Sequence, residues 1–286
     1  MTSRLLTAAT LFLTVPALAQ SGRVMDNLSM PTEILGGERN FAVYLPPDYD
    51  TSERSYPILY LLHGAGDDHT GWVQFGEVLH IADKAIREGT ATPMIIAMPD
   101  AFTGRLGYFN YPDGEWNYED YFFDEFIPHV ESAFRVKSEK RYRAVAGLSM
   151  GGGGSLMFAM HRPDMFAAAG PLSSWVGPPS LEQARRQFGE ALAGMSDEDA
   201  HAYWQRHNAV ELARTLSVDD LNSVRWYIDS GDDDFLYEGN ALLHIALRKR
   251  EVRHEFRVRD GGHTWTYWRD SLPDVLHFVS QSFRQF

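Results

Sequence analysis

The chain has 286 residues, of which 44% are hydrophobic, and its formal net charge is −13. This length and composition suit one large α/β domain or two small ones, and the acidity argues against nucleic acid and anionic membrane surfaces as partners. The sequence contains no cysteine, which excludes disulfides, thiol chemistry and a lipidated cysteine.

The first 19 residues predict a cleavable signal peptide. Arg4 supplies a positive start, an apolar run covers 5–15, and Ala17-Leu18-Ala19 has the small residues typical of a cleavage site. The apolar run is too short to span a membrane. We therefore expect cleavage near Ala19 and a secreted or periplasmic protein. The alternative is a buried N-terminal helix.

Strands and helices alternate along the remaining chain. Short apolar runs predict strands at 41–45, 58–62, 94–98, 141–146, 165–172, 224–229 and 254–259. Periodic stretches predict helices at 72–87, 121–134, 155–160, 181–192, 196–206, 239–250 and 271–283. Such alternation predicts an α/β fold with a doubly wound, mainly parallel sheet.

Two segments depart from this rhythm. Residues 101–118 are rich in aromatic residues and glycine and predict a long loop at the edge of the sheet. Residues 177–222 have no strand signal and two helical stretches. We interpret them as a helical insertion near the active site of a single domain that covers 20–286.

Gly147-Leu148-Ser149-Met150-Gly151 has the form of a nucleophile elbow. The sharp turn from strand to helix strains the backbone of the serine, and a glycine on either side lets neighbouring chain pass close by. The serine hydroxyl then lies at the start of a helix, where amide N–H groups face a developing anion. The alternative is a glycine-rich loop without a chemical role.

The acid and the base of a serine triad follow in the order found in α/β-hydrolases. Asp232, Asp233 and Asp234 come after the strand that ends near Asp229, and His263 comes after the last strand. Only one of the three acids can orient the histidine, and the others are expected at the surface. Alternatively, the three acids form a solvated turn or a cation site and His263 is a core residue.

The chemistry needs two amide donors for the oxyanion. We expect one from Met150, after the nucleophile, and one from Ala65, in the turn after the strand 58–62. Trp265 is a candidate for the acyl pocket, or else part of the core. His63 resembles a metal ligand, but no metal-binding spacing accompanies it, so we expect neither metal nor cofactor.

The sequence resembles the esterase D and feruloyl esterase branch of the α/β-hydrolases, which includes the mycolyltransferases. Five stretches carry the resemblance in family order and span nearly the whole mature chain: 44–49, 57–68, 146–152, 231–236 and 261–265.

The resemblance implies the α/β-hydrolase fold and hydrolysis of carboxylic esters, and together with the predicted signal peptide it leads us to expect an exported serine carboxylesterase. It maps the acid to Asp234, with Asp233 as the fallback, and leaves Ser149 and His263 as nucleophile and base. Acetyl, short-chain or feruloyl esters, including esters on carbohydrate, are the implied substrates. The alternatives are acyl transfer to a sugar or alcohol, and a non-catalytic carbohydrate-binding member of the fold.

Overall fold

The computed structural model describes residues 20–101, 105 and 107–284. The predicted signal peptide lies outside the described residues. The described residues form an eight-stranded sheet. Its strands are β1 (Arg23–Pro31), β2 (Glu38–Leu45), β3 (Ile58–Leu62), β4 (Ile95–Pro99), β5 (Arg143–Leu148), β6 (Ala168–Leu172), β7 (Arg225–Gly231) and β8 (His254–Arg259).

The strand order is β1-β2-β4-β3-β5-β6-β7-β8. β1 pairs antiparallel with β2, and β2 pairs antiparallel with β4. The pairs from β4 to β8 are all parallel, so the carboxyl ends of β3, β5, β6, β7 and β8 lie at one edge of the sheet. Loops that follow these strands can therefore meet there.

The helices cover both faces of the sheet. They are α1 (Gly71–Gln74), α2 (Val78–Arg87), α3 (Tyr118–Asp120), α4 (Ile127–Ala133), α5 (Met150–His161), α6 (Leu181–Phe188), α7 (Glu190–Ala193), α8 (Asp197–Arg206), α9 (Ala209–Thr215), α10 (Val218–Asn222), α11 (Tyr237–Lys249) and α12 (Trp265–Arg284). A π-helical stretch, Tyr121–Phe126, joins α3 to α4, and short 3-10 turns cover Tyr49–Thr51 and Lys140–Tyr142.

β3 shows why the core has two layers. Its five side chains are fully buried, and successive side chains point to opposite faces. Tyr60 packs in the layer that contains α4, α5 and α11, whereas Leu59 and Leu61 pack in the layer that contains α2 and α12. A strand apolar on both faces is thus covered on both faces, as the sequence predicts. Among the described helices, none combines the length and the apolar composition needed to cross a membrane.

Several elements differ from the sequence-based predictions. The helix predicted at 72–87 is divided into α1 and α2, and α12 begins at Trp265 rather than at 271. β1 has no predicted counterpart. α5 begins at Met150 and contains all four glycines of Gly151–Gly154, whereas the predicted helix begins at Ser155. Segment 177–222 forms five short helices rather than two, and α9 packs into the main core beside α5 and α11.

Candidate active site

The strand-to-helix turn at Ser149 is strained. Ser149 has φ 55° and ψ −115°, between the end of β5 and the start of α5. L-residues other than glycine rarely adopt this conformation, and it costs on the order of 1–3 kcal/mol. The backbone holds it, because the Ser149 amide donates to the carbonyl of Leu172 at 2.9 Å and the Ser149 carbonyl accepts from Gly153 and Trp175.

The glycines on either side permit close packing of the turn. A Cβ on Gly147 would lie 2.6 Å from the carbonyl of Gly151, and a Cβ on Gly151 would lie 2.5 Å from the carbonyl oxygen of Leu62. Real Cβ atoms do not approach a backbone this closely, so β3, β5 and α5 reach their observed separation only with glycine at both positions.

His263 joins Ser149 to Asp234. Its Nε2 lies 2.9 Å from Ser149 Oγ, and its Nδ1 lies 2.9 and 3.0 Å from the two carboxylate oxygens of Asp234. Asp234 is 1% exposed, whereas His263 is half-buried. A serine, an imidazole and a carboxylate in this hydrogen-bonded order can transfer a proton from the hydroxyl to the imidazole.

The environment of Asp234 keeps it ionised. Burial raises the pKa of this carboxyl, but hydrogen bonds from His263, from the Ser173 hydroxyl and from the Leu236 amide outweigh burial and lower its pKa. A carboxylate at this position can stabilise an imidazolium.

The other two acids of the run lie elsewhere. Asp232 and Asp233 are exposed and hydrogen-bond the loop before His263. The Asp232 carboxylate accepts from the Gly261 amide at 3.0 Å, and the Asp233 amide donates to the Gly261 carbonyl at 3.1 Å. With Asp260 they form the one acidic or histidine group in the described part of the chain that is close enough to share an ion. All three are exposed, and such groups are common without a metal.

The turn after β3 lies against the elbow. A Cβ on Gly64 would be 3.5 Å from the Cβ of Ser149. Three carbonyls of this turn are held by donors: Trp72 Nε1 donates to Leu62 at 2.9 Å, Tyr108 to His63 at 3.0 Å, and His63 Nδ1 to Gly64 at 2.9 Å. Since a trans peptide points its C=O and N–H in opposite directions, the amide of Ala65 points away from the His63 ring.

His63 is a structural residue of this turn. Its Nδ1 bonds the Gly64 carbonyl, and its Nε2 accepts from the Ala101 amide at 2.9 Å, so both ring nitrogens are used by the backbone. Burial lowers its pKa to about 4, against the opposing effects of the Gly64 hydrogen bond and Asp68. The ring is therefore neutral at pH 7, which fits one donating and one accepting nitrogen.

The second candidate oxyanion donor, Met150, is the first residue of α5. Amides in the first turn of a helix have no intrahelical acceptor, so the Met150 N–H is available to a ligand at Ser149. Its side chain is buried, and its sulfur accepts a hydrogen bond from the Gly107 amide at 3.2 Å.

Trp265 packs among other aromatic residues beside the site. Its ring meets Trp72 edge-on at 5.2 Å and Trp268 at 5.4 Å, and it is tilted against Phe75 at 5.8 Å. It is half-buried, so part of its surface remains open. The rings directly against His263 are instead those of Phe235, at 4.4 Å between centroids and 73% exposed, and of Trp268, at 4.9 Å.

Two residues of the site have no counterpart in the sequence-based predictions. Trp268 on α12 lies edge-on to the His263 ring at 4.9 Å, and its Nε1 donates at 3.0 Å to Ser173, which follows β6. The available signal for Ser173 was its place directly after an apolar strand, at the edge where Ser149, Asp234 and His263 were already expected.

Helices α6–α8 of the segment 177–222 pack near the elbow through Phe109. This ring stacks on Trp175 at 5.9 Å and contacts Phe188 of α6 edge-on at 5.6 Å. Trp175 in turn donates its amide to the Ser149 carbonyl. The segment is thus connected to the turn that carries the candidate nucleophile.

Comparison with known proteins shows the family and the fold of this chain. The sequence profile of a family described as "Putative esterase" matches residues 32–279. A solved structure of a ferulic acid esterase superposes with a TM-score of 0.81 and 34% identity, covering 92% of this chain and 99% of that one. The α/β-hydrolase fold expected from the sequence is confirmed.

Curated relatives match a smaller part of the chain. An esterase of Mycobacterium tuberculosis is 40% identical over 163 residues, which are 55% of this chain and 32% of the relative. An endo-1,4-beta-xylanase/feruloyl esterase of Xylanibacter ruminicola is 35% identical over 177 residues, 59% of this chain and 24% of the relative. The aligned part is thus a third or less of these two relatives.

Proposed function

This chain belongs to the esterase family of enzymes, and we propose that it hydrolyses carboxylic esters with Ser149 as nucleophile, His263 as base and Asp234 as the acid that orients it. The observation that carries the proposal is the continuous hydrogen-bonded path from Ser149 Oγ through the imidazole to the Asp234 carboxylate. Two further features support it: the strained backbone of Ser149 and the glycine-permitted packing around it.

The proposed reaction has two halves. Ser149 Oγ attacks the ester carbonyl carbon while its proton passes to His263 Nε2, and the Asp234 carboxylate stabilises the imidazolium. The tetrahedral intermediate collapses, the alcohol leaves with the proton from His263, and an acyl-serine remains. Water then attacks the acyl carbon, His263 takes its proton, and Ser149 recovers that proton as the carboxylic acid leaves.

The proposed oxyanion site consists of the Ala65 and Met150 amides. Three observations support this: Met150 opens α5 directly after Ser149, the Gly64 turn lies against Ser149, and the His63 ring holds the Gly64 carbonyl. Removing one such donor typically lowers turnover by about 100- to 1000-fold. The proposed chemistry needs no cofactor.

For the substrate we propose acyl esters such as acetyl, short-chain or feruloyl esters, including those on carbohydrate. The 34% identity to a ferulic acid esterase over nearly the full length of both chains supports the feruloyl class. The printed name of the Xylanibacter relative couples a feruloyl esterase to a xylanase, which supports a carbohydrate-linked ester. We further propose export by the N-terminal segment and no nucleic acid or membrane partner, in keeping with the charge of −13.

The test is hydrolysis of p-nitrophenyl acetate by the purified chain and by Ser149→Ala. We expect the substitution to lower kcat by more than about 1000-fold and to abolish labelling by a fluorophosphonate probe. Ser155→Ala is the matched control, because Ser155 is a buried serine of the same helix whose hydroxyl bonds the Gly152 carbonyl. Wild-type activity in Ser149→Ala would refute the assignment.

A second assay defines the substrate. Feruloyl, acetyl and short-chain esters are compared by kcat/KM, with and without a sugar or alcohol acceptor. Free acid as the product in the presence of acceptor supports hydrolysis, whereas a new ester of the acceptor supports transfer.

A further inference from the structure

A groove of about 800 Å³ lies at the edge of the sheet opposite the candidate active site. It is lined by residues at the amino ends of β6, β7 and β8 and by the turn that precedes β5. Ser149, Asp234 and His263 follow the carboxyl ends of β5, β7 and β8 instead. The length of β7, roughly 20 Å, separates the groove from the candidate triad. The volume of the groove lies in the range of small-molecule binding sites.

The charge of the groove is opposite to that of the whole chain. The chain has 26 lysine and arginine residues against 39 aspartate and glutamate residues. The charged side chains of the lining are four cations and two acids: Lys140, Arg141, Arg225 and Arg253, and Glu139 and Glu255. Glu255 is paired at 2.5 Å with Arg257, which lies outside the lining. The groove is therefore a cationic surface on an acidic protein, and such a surface attracts anions.

Within the described residues, every hydrogen-bond partner of the Arg225 side chain is neutral. Its Nη1 donates to Ser282 Oγ at 2.8 Å and to the Phe278 carbonyl at 3.4 Å. Its Nη2 donates to Gln281 Oε1 at 3.1 Å, and its guanidinium carbon lies 4.4 Å from the centroid of the Phe278 ring. These contacts fix the guanidinium and use three of its five N–H donors, so two donors are left for a ligand.

Lys140 and Arg253 share the lining with Arg225. Lys140 Nζ donates to the hydroxyl of Ser223 at 3.1 Å, which leaves two of its three donors for a ligand. The side chain of Arg253 is exposed, and its guanidinium has no hydrogen-bond or ion-pair partner in the described part of the chain. Both cations can therefore turn towards a ligand in the groove.

Burial deprives two of these cations of water. It lowers the pKa of Lys140, although Asp164 and Asp220 raise it, and it lowers the pKa of Arg225, although Glu255 raises it. Neither cation forms an ion pair with a carboxylate among the described residues. A bound anion replaces the lost hydration with charge-assisted hydrogen bonds.

We propose that this groove binds a small multivalent oxyanion, a molecule that carries phosphate or several carboxylates, through Lys140, Arg225 and Arg253. These residues come from the turn before β5 and from the starts of β7 and β8. The bound anion joins three separate segments of the chain and stabilises the folded protein by mass action. The inference goes beyond the proposed function, because the groove lies at the other edge of the sheet from Ser149.

The test is calorimetric titration of the full chain with sodium pyrophosphate and, separately, with sodium citrate. Sodium chloride at the same ionic strength is the control for screening. We expect one saturable site with a Kd of about 1 mM or lower, and a rise in Tm of about 3 °C or more at about ten times that Kd. Tighter binding of pyrophosphate indicates a phosphate ligand, and tighter binding of citrate indicates a carboxylate ligand. If neither anion binds, or if sodium chloride raises Tm equally, the inference is overturned.

Charge variants test which residues hold the anion. Lys140→Gln and Arg253→Gln should each raise the Kd about fivefold or more, because each removes a unit charge next to the ligand. Glu139→Gln removes an exposed acid of the lining and should lower the Kd about twofold. Lys84→Gln is the matched control, because Lys84 is an exposed cation of α2 outside the groove. A rise in Kd that is as large in Lys84→Gln as in Arg253→Gln would mean that the anion responds to overall charge and has no site in the groove.

The Ser149→Ala protein separates this inference from the proposed function. Its Kd for pyrophosphate should equal that of the wild type, because the groove and the candidate nucleophile lie at opposite edges of the sheet. A wild type that hydrolyses esters and binds neither anion refutes only the anion site. A wild type that binds pyrophosphate and hydrolyses no ester refutes only the proposed function.

Discussion

Asp234 Oδ2 lies 2.9 Å from His263 Nδ1, while Asp232 and Asp233, the two preceding residues, are exposed and bond the loop that carries the histidine. Three consecutive acids thus separate into one buried partner of the base and two loop-fixing residues. The three acids differ in burial: Asp234 is 1% exposed, whereas Asp232 and Asp233 are both exposed.

This separation predicts different outcomes for isosteric substitutions. Asp234→Asn should lower kcat by roughly 10⁴-fold, because an amide neither stabilises the imidazolium nor selects the correct tautomer. Asp232→Asn and Asp233→Asn should retain activity within about threefold, because neither side chain contacts His263 and surface changes are usually small. Steady-state hydrolysis of p-nitrophenyl acetate measures all three, and a larger loss in Asp233→Asn than in Asp234→Asn would show that the acid is wrongly assigned.

The glycine run after the nucleophile predicts a steric requirement. A Cβ on Gly151 would lie 2.5 and 2.6 Å from the carbonyl oxygens of Leu62 and His63. In the interior of a helix, alanine is more favourable than glycine by about 1 kcal/mol of free energy. The clash with the backbone should nevertheless make Gly151→Ala lower the unfolding free energy by about 2 kcal/mol. Activity should fall at least about tenfold, because the turn at Gly64 must move away from Ser149.

Gly194→Ala is the matched control for this prediction. Gly194 follows α7 with φ −83°, and no atom lies within 4 Å of an added Cβ. The unfolding free energy of the Gly194→Ala protein should differ from that of the wild type by less than about 1 kcal/mol, in either direction. Urea unfolding of both variants checks the pair, and equal stability of Gly151→Ala and wild type would contradict the packing argument.

The same glycines show where sequence patterns are insufficient. Helix propensity excludes a helix start among four glycines, and the predicted helix accordingly begins at Ser155. In the structure, tertiary packing outweighs propensity, because the first turns of α5 lie directly on backbone of β3 and of the chain after β6. β1 was missed for another reason: it is a largely exposed edge strand with an irregularity between Met25 and Leu28, so it lacks a clean apolar alternation.

The sequence predicts best those features that follow from a uniformly apolar segment or from the order of strands in the sheet. The bounds of β3 match the predicted 58–62, because only a strand covered on both faces has five apolar residues in succession. The meeting of Ser149 with His263 follows from loops placed at the same edge of a parallel sheet. The surroundings of Ser173 could not be predicted, because they depend on a backbone angle and on the indole of Trp268, 95 positions away.

Buried neutral histidines predict a loss of stability in mild acid. Burial is the largest influence on His63 and on His207, and it lowers the pKa of each to about 4. Below pH 6.5 the histidines of the unfolded chain bind protons, whereas the buried histidines of the folded protein stay neutral. The free energy of unfolding is therefore highest above pH 6.5 and falls as the pH approaches 4. Each histidine should lower the unfolding free energy by about 2 kcal/mol between pH 7 and pH 5.

Urea unfolding at pH 7 and pH 5 checks this prediction. The quantity compared is the change in unfolding free energy between the two pH values, not the stability of each variant at one pH. His63→Gln and His207→Gln should each lose about 2 kcal/mol less than the wild type between pH 7 and pH 5. His80→Gln, at an exposed position of α2, should keep the wild-type pH dependence. Parallel curves for all four proteins would mean that neither buried histidine governs acid stability.

Glu119 and His161 predict how α8 is attached to the body of the protein. His161 Nδ1 lies 2.8 Å from the buried Glu119 carboxylate, and its Nε2 lies 2.8 Å from the carbonyl of Arg206 at the end of α8. Burial raises the pKa of Glu119, but the His161 hydrogen bond and nearby positive groups lower it below its usual value. The imidazole therefore bridges a buried carboxylate and the last turn of α8.

Glu119→Gln should weaken this bridge, because a neutral amide makes a weaker hydrogen bond with the imidazole than a carboxylate does. We expect a loss of about 2 kcal/mol in unfolding free energy, typical of an altered buried pair, and faster hydrogen exchange in 197–206 than in β3. Asp164→Asn is the control: Asp164 pairs with Arg162 next to His161, at 64% and 42% side-chain exposure, and exposed pairs contribute at most about 1 kcal/mol. If exchange in α8 is unchanged in Glu119→Gln, or equally fast in Asp164→Asn, the attachment of α8 does not depend on the buried pair.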